Sequence, residues 1–373
     1  MSFYATRSNN IRETIQSLNW TIILLTITLG LVGVAFQYSV GGESFSPWAW
    51  RHLLRLGFAV VVMILIASIP LRTVFNSGYV LYSVLLVGLV GVELFGSTEM
   101  GAQRWLDLGI VKLQPSELMR IGSVLALAKF YQSVYIEDVS KIRFLVIPII
   151  LILAPAVLVY RQPDLGTSIL LMVTGVSVLF LAGVNIRYFL AATALLLASM
   201  PLVWGQLKEY QQNRILTFFD PERDPLGAGY HIIQSKIGIG SGGLSGKGFG
   251  DGTQSRLNFL PEKHTDFIFT IYAEEMGFFG TLVLVALFAS LLIAIYMVTR
   301  EVKTQFSRLL VAGLAVSIFL YIFVNLAMVM GIAPVVGVPL PFVSYGGTSL
   351  LTFAITIGLI LCVDRQPTAD IGK

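Results

Sequence analysis

Residues 266–297 read DFIFTIYAEEMGFFGTLVLVALFASLLIAIYM, and this stretch decides the fold of the chain. It is mostly apolar and longer than the roughly 20 residues that cross a bilayer as a helix. The stretch therefore predicts a membrane-spanning helix that tilts or extends beyond the bilayer. Its first residue, Asp266, is a carboxylate at the boundary with the polar segment NFLPEKHT, residues 258–265.

The composition extends this interpretation to the whole chain. Of its 373 residues, 55% are hydrophobic and 12% are charged, and the mean hydropathy is +0.80. A soluble domain carries about 25% charged residues, so most of this surface must face lipid. The net charge of +4 is small and spread along the chain, which argues against a nucleic-acid partner. The single cysteine, Cys362, excludes an internal disulfide bond.

Ten apolar runs are long enough to span a bilayer. They cover residues 18–39, 52–71, 77–96, 114–132, 144–161, 167–184, 187–205, 266–297, 309–332 and 341–363. These runs predict an all-α polytopic membrane protein with ten transmembrane helices. We interpret residues 1–373 as a single membrane domain, with a long extracytoplasmic loop, about 206–265, between helices 7 and 8.

The basic residues of the short connecting segments predict the orientation. An even number of spans places both termini on one side, and segments on that side hold Arg7, Arg12, Arg72, Lys129, Lys141, Arg143, Arg187, Arg300, Lys303, Arg308, Arg365 and Lys373. The opposite short segments hold only Arg51, Arg55, Arg104 and Lys112. Cytoplasmic loops carry the excess of Lys and Arg, so both termini are predicted to be cytoplasmic.

The long loop is predicted to hold a short amphipathic helix lying on the membrane. Its apolar residues at positions 230, 232, 233 and 237 have helical spacing. The glycine-rich stretch 238–252 resembles a nucleotide-binding loop only superficially, because it lacks a Walker sequence and a preceding strand. A loop that exposes its backbone over a ligand is the better interpretation.

Charged residues inside the apolar runs are costly in lipid, and they usually pair or face a cavity. Glu117 and Arg120 lie three residues apart and share one helical face. They form either an internal ion pair that orients helices or part of a polar cavity open to the outer leaflet. Arg161 and Asp164 lie at the junction of the fifth and sixth runs.

Two segments, QPSE at 114–117 and QPDLGT at 162–167, have the composition of helix starts. Two adjacent helix N-termini could hold an anion such as pyrophosphate, although capping alone explains each segment equally well. The segment PFVSYGG at 341–347 opens the last run with small residues, which fit either helix packing or a cavity wall.

Asp266 also allows two interpretations. It is either the N-cap of the eighth run or a general base at the membrane surface. Lys263, His264 and the helix dipole would favour the ionised carboxylate and also lower its basicity.

Taken together, the motifs resemble the SEDS family of bacterial membrane proteins. The segments that carry the resemblance are GAQRWLDLG (101–109), QPSE (114–117), QPDLGT (162–167), DPERDPLGAGYH (220–231), LPEKHTDFIF (260–269) and PFVSYGG (341–347). The sequence GTQS at 252–255 is similar to the elongation-specific branch of the family and differs from the division-specific branch.

The resemblance implies a peptidoglycan glycosyltransferase that acts on lipid II, a disaccharide-pentapeptide on undecaprenyl pyrophosphate. The essential loop aspartate of the family falls on Asp266, and family motif residues fall on Arg104, Glu117 and Asp164. Arg120 stands where members usually have Lys, and the two cations are not equivalent ligands. We expect these and further residues to bind substrate: Arg104, Lys112, Gln114, Glu117, Arg120, Asp164, Arg214, Lys263, His264 and Ser344.

In the expected reaction Asp266 is the base, and cations stabilise the pyrophosphate leaving group. A divalent cation, Mg²⁺ or Mn²⁺, could assist, although the sequence offers no complete set of metal ligands. The implied partners are lipid-linked nascent glycan, a class B penicillin-binding protein and the MreB-organised elongation complex. The implied location is the bacterial cytoplasmic (inner) membrane, with catalysis on the outer face. A lipid II flippase is the alternative function, and a scaffold that recruits partners is a third.

Overall fold

The computed structural model describes residues 16–99, 102–107, 109, 112–207, 209–224, 227–257, 259–260 and 262–369. Thirteen α-helices lie in these ranges: α1 Trp20–Val40, α2 Trp50–Ser68, α3 Leu71–Phe95, α4 Pro115–Gln132, α5 Ile142–Arg161, α6 Leu165–Leu181, α7 Ile186–Gln206, α8 Glu209–Phe219, α9 Ala228–Ser241, α10 Thr253–Arg256, α11 Ile268–Glu301, α12 Gln305–Val329 and α13 Gly347–Arg365. The predicted helical fold is therefore confirmed.

Seven helices in the described ranges are long and apolar enough to cross a membrane: α1, α2, α3, α5, α11, α12 and α13. Two others, α6 and α7, contain shorter apolar stretches. Helix α4 coincides with the fourth predicted run, and its 18 residues include Glu117, Arg120 and Lys129. The chain is thus a multi-pass membrane protein, while the count of ten spans stays a prediction.

Helix α4 lies at the centre of the bundle and contacts α3, α5, α6, α12 and α13. Most of its residues are buried. Glycines allow the close approach: a side chain at Gly122 would meet Leu85, and one at Gly313 of α12 would meet Val124 of α4. Because α4 is surrounded by protein, its buried charged residues Glu117 and Arg120 are shielded from lipid.

Helix α7 is the opposite case. None of its described side chains is buried, and Leu195, Leu196 and Leu202 are among its exposed apolar residues. A helix that is apolar on all sides and packs little against its own chain is suited to contact with lipid. Helix α7 precedes the long loop that leads to Asp266.

A small antiparallel sheet between α3 and α4 was not predicted from the sequence. Its strands are β1 Ser97–Glu99, β2 Ala102–Asp107 and β3 Lys112–Leu113, in the order β1-β2-β3. Thr98 pairs with Gln103, and Leu106 pairs with Leu113. The sheet places Arg104 in the middle of β2, near the N-terminus of α4.

The long loop contains helices α8, α9 and α10, and the predicted helix near residue 230 is confirmed as α9. Its position on the membrane stays a prediction; Ile237 is exposed, whereas Ile232 and Ser235 are buried. The Ser235 hydroxyl donates to the Val329 carbonyl at 2.7 Å and lies 2.7 Å from the Thr270 hydroxyl. A small polar residue on this face lets α9 pack closely against α11 and α12.

Candidate functional site

Asp266 lies in the turn of residues 262–267, which leads into α11. The helix begins at Ile268, and its N-cap residue is Phe267, without a side-chain capping bond. The interpretation of Asp266 as the N-cap is therefore wrong. Asp266 as a residue is half-buried.

The backbone of this turn is held by side chains from three separate segments. Gln37 of α1 donates to the His264 carbonyl at 2.9 Å, and Ser344 donates to the Thr265 carbonyl at 2.6 Å. Asn325 of α12 donates to the Asp266 carbonyl at 2.9 Å. Three consecutive carbonyl oxygens thus each accept a hydrogen bond from a different part of the fold.

Burial is the main cause that raises the pKa of the Asp266 carboxyl to about 7; the nearby Glu262 carboxylate also raises it, whereas Arg104 lowers it. The cation that acts on Asp266 is therefore Arg104, whereas Lys263 and His264 were predicted for this effect. A carboxyl with a pKa near neutrality can accept a proton efficiently at physiological pH.

Arg104 is also bound to the start of α6. Its Nε lies 3.7 Å from Asp164 Oδ2, and its Nη2 donates to the Pro163 carbonyl. Asp164 is the N-cap of α6, and its Oδ1 accepts from the Thr167 amide at 3.3 Å. The Asp164 carboxylate thus caps α6 through Oδ1 and pairs with Arg104 through Oδ2.

Helices α4 and α6 begin side by side, as the sequence predicted for adjacent helix starts. Gln114 is the N-cap residue of α4, and its Nε2 lies 3.5 Å from Asp164 Oδ2. The N-terminus of α6 already holds the carboxylate of its own cap, which favours the capping interpretation over an anion site at this helix.

The segment around Gly337 lies between α6 and Asp266. A side chain at Gly166 of α6 would overlap Val336, and one at Gly337 would come within 3.4 Å of Asp266 Oδ2. Gly337 has φ +78°, a conformation that glycine adopts readily. The bend therefore allows the backbone to pass close to the carboxylate.

Glu117 and Arg120 form an internal ion pair. Arg120 Nη2 donates to Glu117 Oε2 at 3.1 Å, and the Tyr321 hydroxyl donates to Oε1 at 2.8 Å. The Arg120 guanidinium lies 3.7 Å above the Tyr321 ring and 5.1 Å from the Phe353 ring centroid. Both charged side chains are buried, so this geometry supports the helix-orienting interpretation.

Lys263, His264 and Ser344 contact protein groups in the structure. Lys263 Nζ donates to the Ser255 carbonyl at 2.6 Å, and burial lowers its pKa. The His264 ring stacks on Trp48 at a centroid distance of 4.2 Å, and burial lowers its pKa too. The buried Ser344 hydroxyl also accepts from the Leu340 amide at 2.8 Å. This supports packing for the PFVSYGG segment.

The two remaining predicted residues are Lys112, in strand β3 of the sheet that holds Arg104, and Arg214. The Lys112 side chain is exposed, and its carbonyl accepts from the Thr348 hydroxyl at 3.1 Å. The backbone of Arg214 lies in α8, but its side chain falls outside the described part of the structure.

Sequence reasoning missed Gln37, Asn325 and Trp48, which hold the turn. The available signal was a polar amide within an apolar run, at Gln37 in the first run and at Asn325 in the ninth. The sequence argument considered only charged residues within apolar runs. Uncharged amides in lipid also carry a free-energy cost, although a smaller one.

The glycine-rich loop binds to the buried pair Glu274 and Glu275, which the sequence analysis did not identify. Glu274 accepts from the Thr253 amide at 2.9 Å, the Gln254 amide at 3.1 Å and Lys247 Nζ at 2.6 Å. Glu275 accepts from the Gly250 amide at 3.1 Å. The loop therefore exposes its backbone amides toward carboxylates of its own chain.

An apolar groove of about 600 Å³ lies beside α5, α6 and α7. Its lining residues are Ala156, Val157, Tyr160, Leu165, Ser168, Met172, Leu202, Gln206 and Leu207.

Within the described residues, no group of three or more His, Cys, Asp or Glu side chains is arranged to hold a metal ion.

The fold and the site define a multi-pass membrane protein with a titratable carboxylate in the turn before one of its membrane helices. The family model for FtsW, RodA and SpoVE, described as cell cycle protein, matches residues 16–369. The chain therefore belongs to the FtsW/RodA/SpoVE family, and the resemblance found in its motifs is confirmed.

Relatives and solved structures agree with this assignment. The chain is 44% identical over 346 residues to peptidoglycan glycosyltransferase MrdB of Escherichia coli K12, covering 92% of each chain. It is 34% identical over 374 residues to the probable peptidoglycan glycosyltransferase FtsW of Thiomicrospira cyclica, covering 96% of this chain and 95% of the relative.

Two solved structures share the fold. One, described as the structural coordination of polymerization and crosslinking by a peptidoglycan synthase complex, has a TM-score of 0.83 at 30% identity, over 95% of this chain and 99% of that one. The rod shape determining protein RodA of Thermus thermophilus has a TM-score of 0.72 at 27% identity, over 95% and 98%.

Proposed function

We propose that this protein is a peptidoglycan glycosyltransferase that polymerises lipid II into glycan strands during cell elongation and the maintenance of rod shape. The observation that carries the proposal is Asp266, a half-buried residue whose carboxyl has a pKa of about 7 and feels the positive charge of Arg104. Its relatives named peptidoglycan glycosyltransferase support the same reaction class.

In the proposed reaction Asp266 takes the proton from the 4-hydroxyl of the GlcNAc unit of an incoming lipid II. The oxygen attacks the anomeric carbon of the MurNAc unit at the lipid-linked end of the growing strand. The new C–O bond forms as the bond to undecaprenyl pyrophosphate breaks, and the α linkage becomes β-1,4 by inversion. One base is sufficient because pyrophosphate is a good leaving group.

Arg104 is the best placed cation for the departing pyrophosphate, because it acts on Asp266 and is held near it by Asp164. Lys112 and Arg214 are weaker candidates for the same task. Arg120 is 2% exposed and paired with Glu117, so we assign it a structural role. Reactions with added Mg²⁺ or Mn²⁺ test whether a divalent cation contributes.

The apolar groove beside α5, α6 and α7 is suited to the polyprenyl tail of the substrate. Its volume of about 600 Å³ and its apolar lining match a hydrocarbon ligand, and Leu165 at the start of α6 follows Asp164 directly. A tail in this groove would place its pyrophosphate near the Arg104 and Asp164 pair.

We further propose ten membrane spans, with both termini cytoplasmic and the loop between α7 and α11 on the outer face of the bacterial cytoplasmic membrane. The excess of basic residues on the short segments of one side supports this orientation.

A class B penicillin-binding protein is the proposed partner, within the MreB-organised elongation complex. A solved structure of similar fold described as a peptidoglycan synthase complex supports such a transpeptidase partner.

The test is polymerisation of purified lipid II by the purified protein, with and without the transpeptidase. Asp266→Asn keeps the shape of the side chain and removes the base, so we expect no glycan strands. Asp251→Asn, an exposed carboxylate change in the same loop, is the matched control and should polymerise normally. Normal polymerisation by Asp266→Asn would reject the proposal. Transfer of lipid II across liposome membranes without polymer would favour a flippase.

A further inference from the structure

We propose that Asn325 is a positioning residue of the glycosyl transfer, which fixes the place of the Asp266 carboxylate by joining the two backbone segments on either side of it. This inference rests on the proposed function of Asp266 as the base. Asn325 lies in α12 and was not identified by any sequence motif.

The Asn325 amide group bridges two segments. Its Nδ2 donates to the Asp266 carbonyl at 2.9 Å and to the Val338 carbonyl at 2.7 Å. Gly337, next to Val338, is the backbone position that approaches Asp266 Oδ2. One side chain therefore sets the separation between the turn that carries the carboxylate and the segment against which the carboxylate lies.

Burying an amide at this position costs free energy, which indicates that Asn325 does more than fill space in the core. Asn325 has no exposed surface, and its Oδ1 has no hydrogen-bond partner among the described residues. A buried polar atom without a partner destabilises the fold, and a leucine of similar size would avoid that cost. What the leucine would lose is the pair of hydrogen bonds to the Asp266 and Val338 carbonyls.

Two further side chains support the same turn. Gln37, which is also fully buried, donates to the His264 carbonyl, and Ser344 donates to the Thr265 carbonyl. Their three segments are distant in sequence, so α1, α12 and the segment before α13 together anchor the turn. Asn325 differs from Gln37 because it contacts both the turn and the segment next to Gly337. Ser344 makes a similar bridge between Thr265 of the turn and Leu340 of that segment.

The same geometry connects Asn325 to the proton affinity of the base. Burial is the largest cause of the raised Asp266 pKa, and the charges that act on it are those of Glu262 and Arg104. Arg104 is in turn paired with Asp164. If the turn separates from the Val338 segment, water reaches the carboxylate and its pKa falls toward the ordinary value.

The experiment measures lipid II polymerisation by full-length Asn325→Leu in detergent, with the transpeptidase present. We expect kcat to fall about 10- to 100-fold, as for a small misplacement of a catalytic group, while KM stays within about 2-fold. We also expect the acidic limb of the pH–kcat profile to move to lower pH. Ser317→Ala, which truncates another buried polar side chain of α12, is the control and should change neither quantity.

Ser344→Ala provides a milder second variant in case Asn325→Leu does not fold. It removes one anchor of the turn, and we expect a smaller loss of kcat, again at unchanged KM. The inference is overturned if folded Asn325→Leu and folded Ser344→Ala both have normal kcat. It is also overturned if the pH profile does not shift and kcat falls only in proportion to the loss of folded protein. If Asp266→Asn is inactive in the same assay, that failure leaves the proposed function standing. If Asp266→Asn is active, the proposed function fails first.

Discussion

The guanidinium Nε of Arg104 lies 3.7 Å from Oδ2 of Asp164 and joins the small sheet to the first turn of α6. The same arginine lowers the pKa of Asp266, which precedes α11. One cation therefore connects the sheet, a helix N-terminus and the proposed base, although the three residues are far apart in the sequence.

Polymerisation should depend on pH through the ionisation of Asp266. The base acts as the carboxylate and its pKa is about 7, so the rate should rise with pH and level off above that value. Each pH unit below about 7 lowers the ionised fraction about tenfold. Initial rates between pH 5.5 and 8.5 check this. In Glu262→Gln the negative charge that raises the pKa is gone, and the midpoint should shift to lower pH.

Replacement of Arg104 should move the midpoint in the opposite direction. Arg104→Gln removes the cation that lowers the pKa of Asp266, so the base is more protonated at pH 7. Loss of the stabilising charge near the leaving group should reduce kcat by a further factor of about 10–100. Arg223→Gln, at an exposed loop position, is the control. An Arg104→Gln profile identical to that of the wild type would contradict the electrostatic effect of Arg104 on Asp266.

Breaking the buried ion pair of α4 should affect stability strongly. Arg120→Met leaves buried Glu117 with the Tyr321 hydroxyl as its one side-chain partner among the described residues, and we expect a loss of about 3–5 kcal/mol. Tyr321→Phe removes one hydrogen bond and should cost about 1–3 kcal/mol. Thermal unfolding in detergent measures both. Equal stability of Arg120→Met and the wild type would show that the pair does not hold the helices.

Close packing at the start of α6 predicts a rescue experiment. A methyl group at Gly166 would overlap Val336 Cγ1, so Gly166→Ala should destabilise the protein by about 1–3 kcal/mol. Removing the obstructing methyl groups with Val336→Ala should restore part of that loss in the double variant. The melting temperatures of the two single variants and the double variant decide the question, and additive losses would argue against the contact.

The attachment of the glycine-rich loop can be measured by amide hydrogen exchange. Glu274→Gln removes the charge that accepts from the Thr253 and Gln254 amides and pairs with Lys247. These two amides should therefore exchange faster, because charged acceptors make stronger hydrogen bonds. Glu301→Gln, at the exposed far end of α11, should leave them unchanged. Unchanged protection in Glu274→Gln would exclude this carboxylate as the anchor.

Several features of the site followed from the sequence because they depend on short-range patterns. The helix starts at Gln114 and Asp164 were predicted from local composition, and both are confirmed as N-cap positions. The shared helical face of Glu117 and Arg120 followed from their spacing, and the structure shows the ion pair. The sheet around Arg104 was missed, because strands of two to six residues carry too little pattern to recognise.

The sequence by itself determined that this is a helical membrane protein, because long apolar runs have no other way to satisfy their backbone in lipid. It also placed a lone carboxylate at the start of the longest run. Only the tertiary structure decided what surrounds that carboxylate: Arg104 from a small sheet, Asn325 from the C-terminal part of α12 and Gln37 from α1. Contacts between residues distant in the chain depend on how the helices pack, and local periodicity contains no information about that packing.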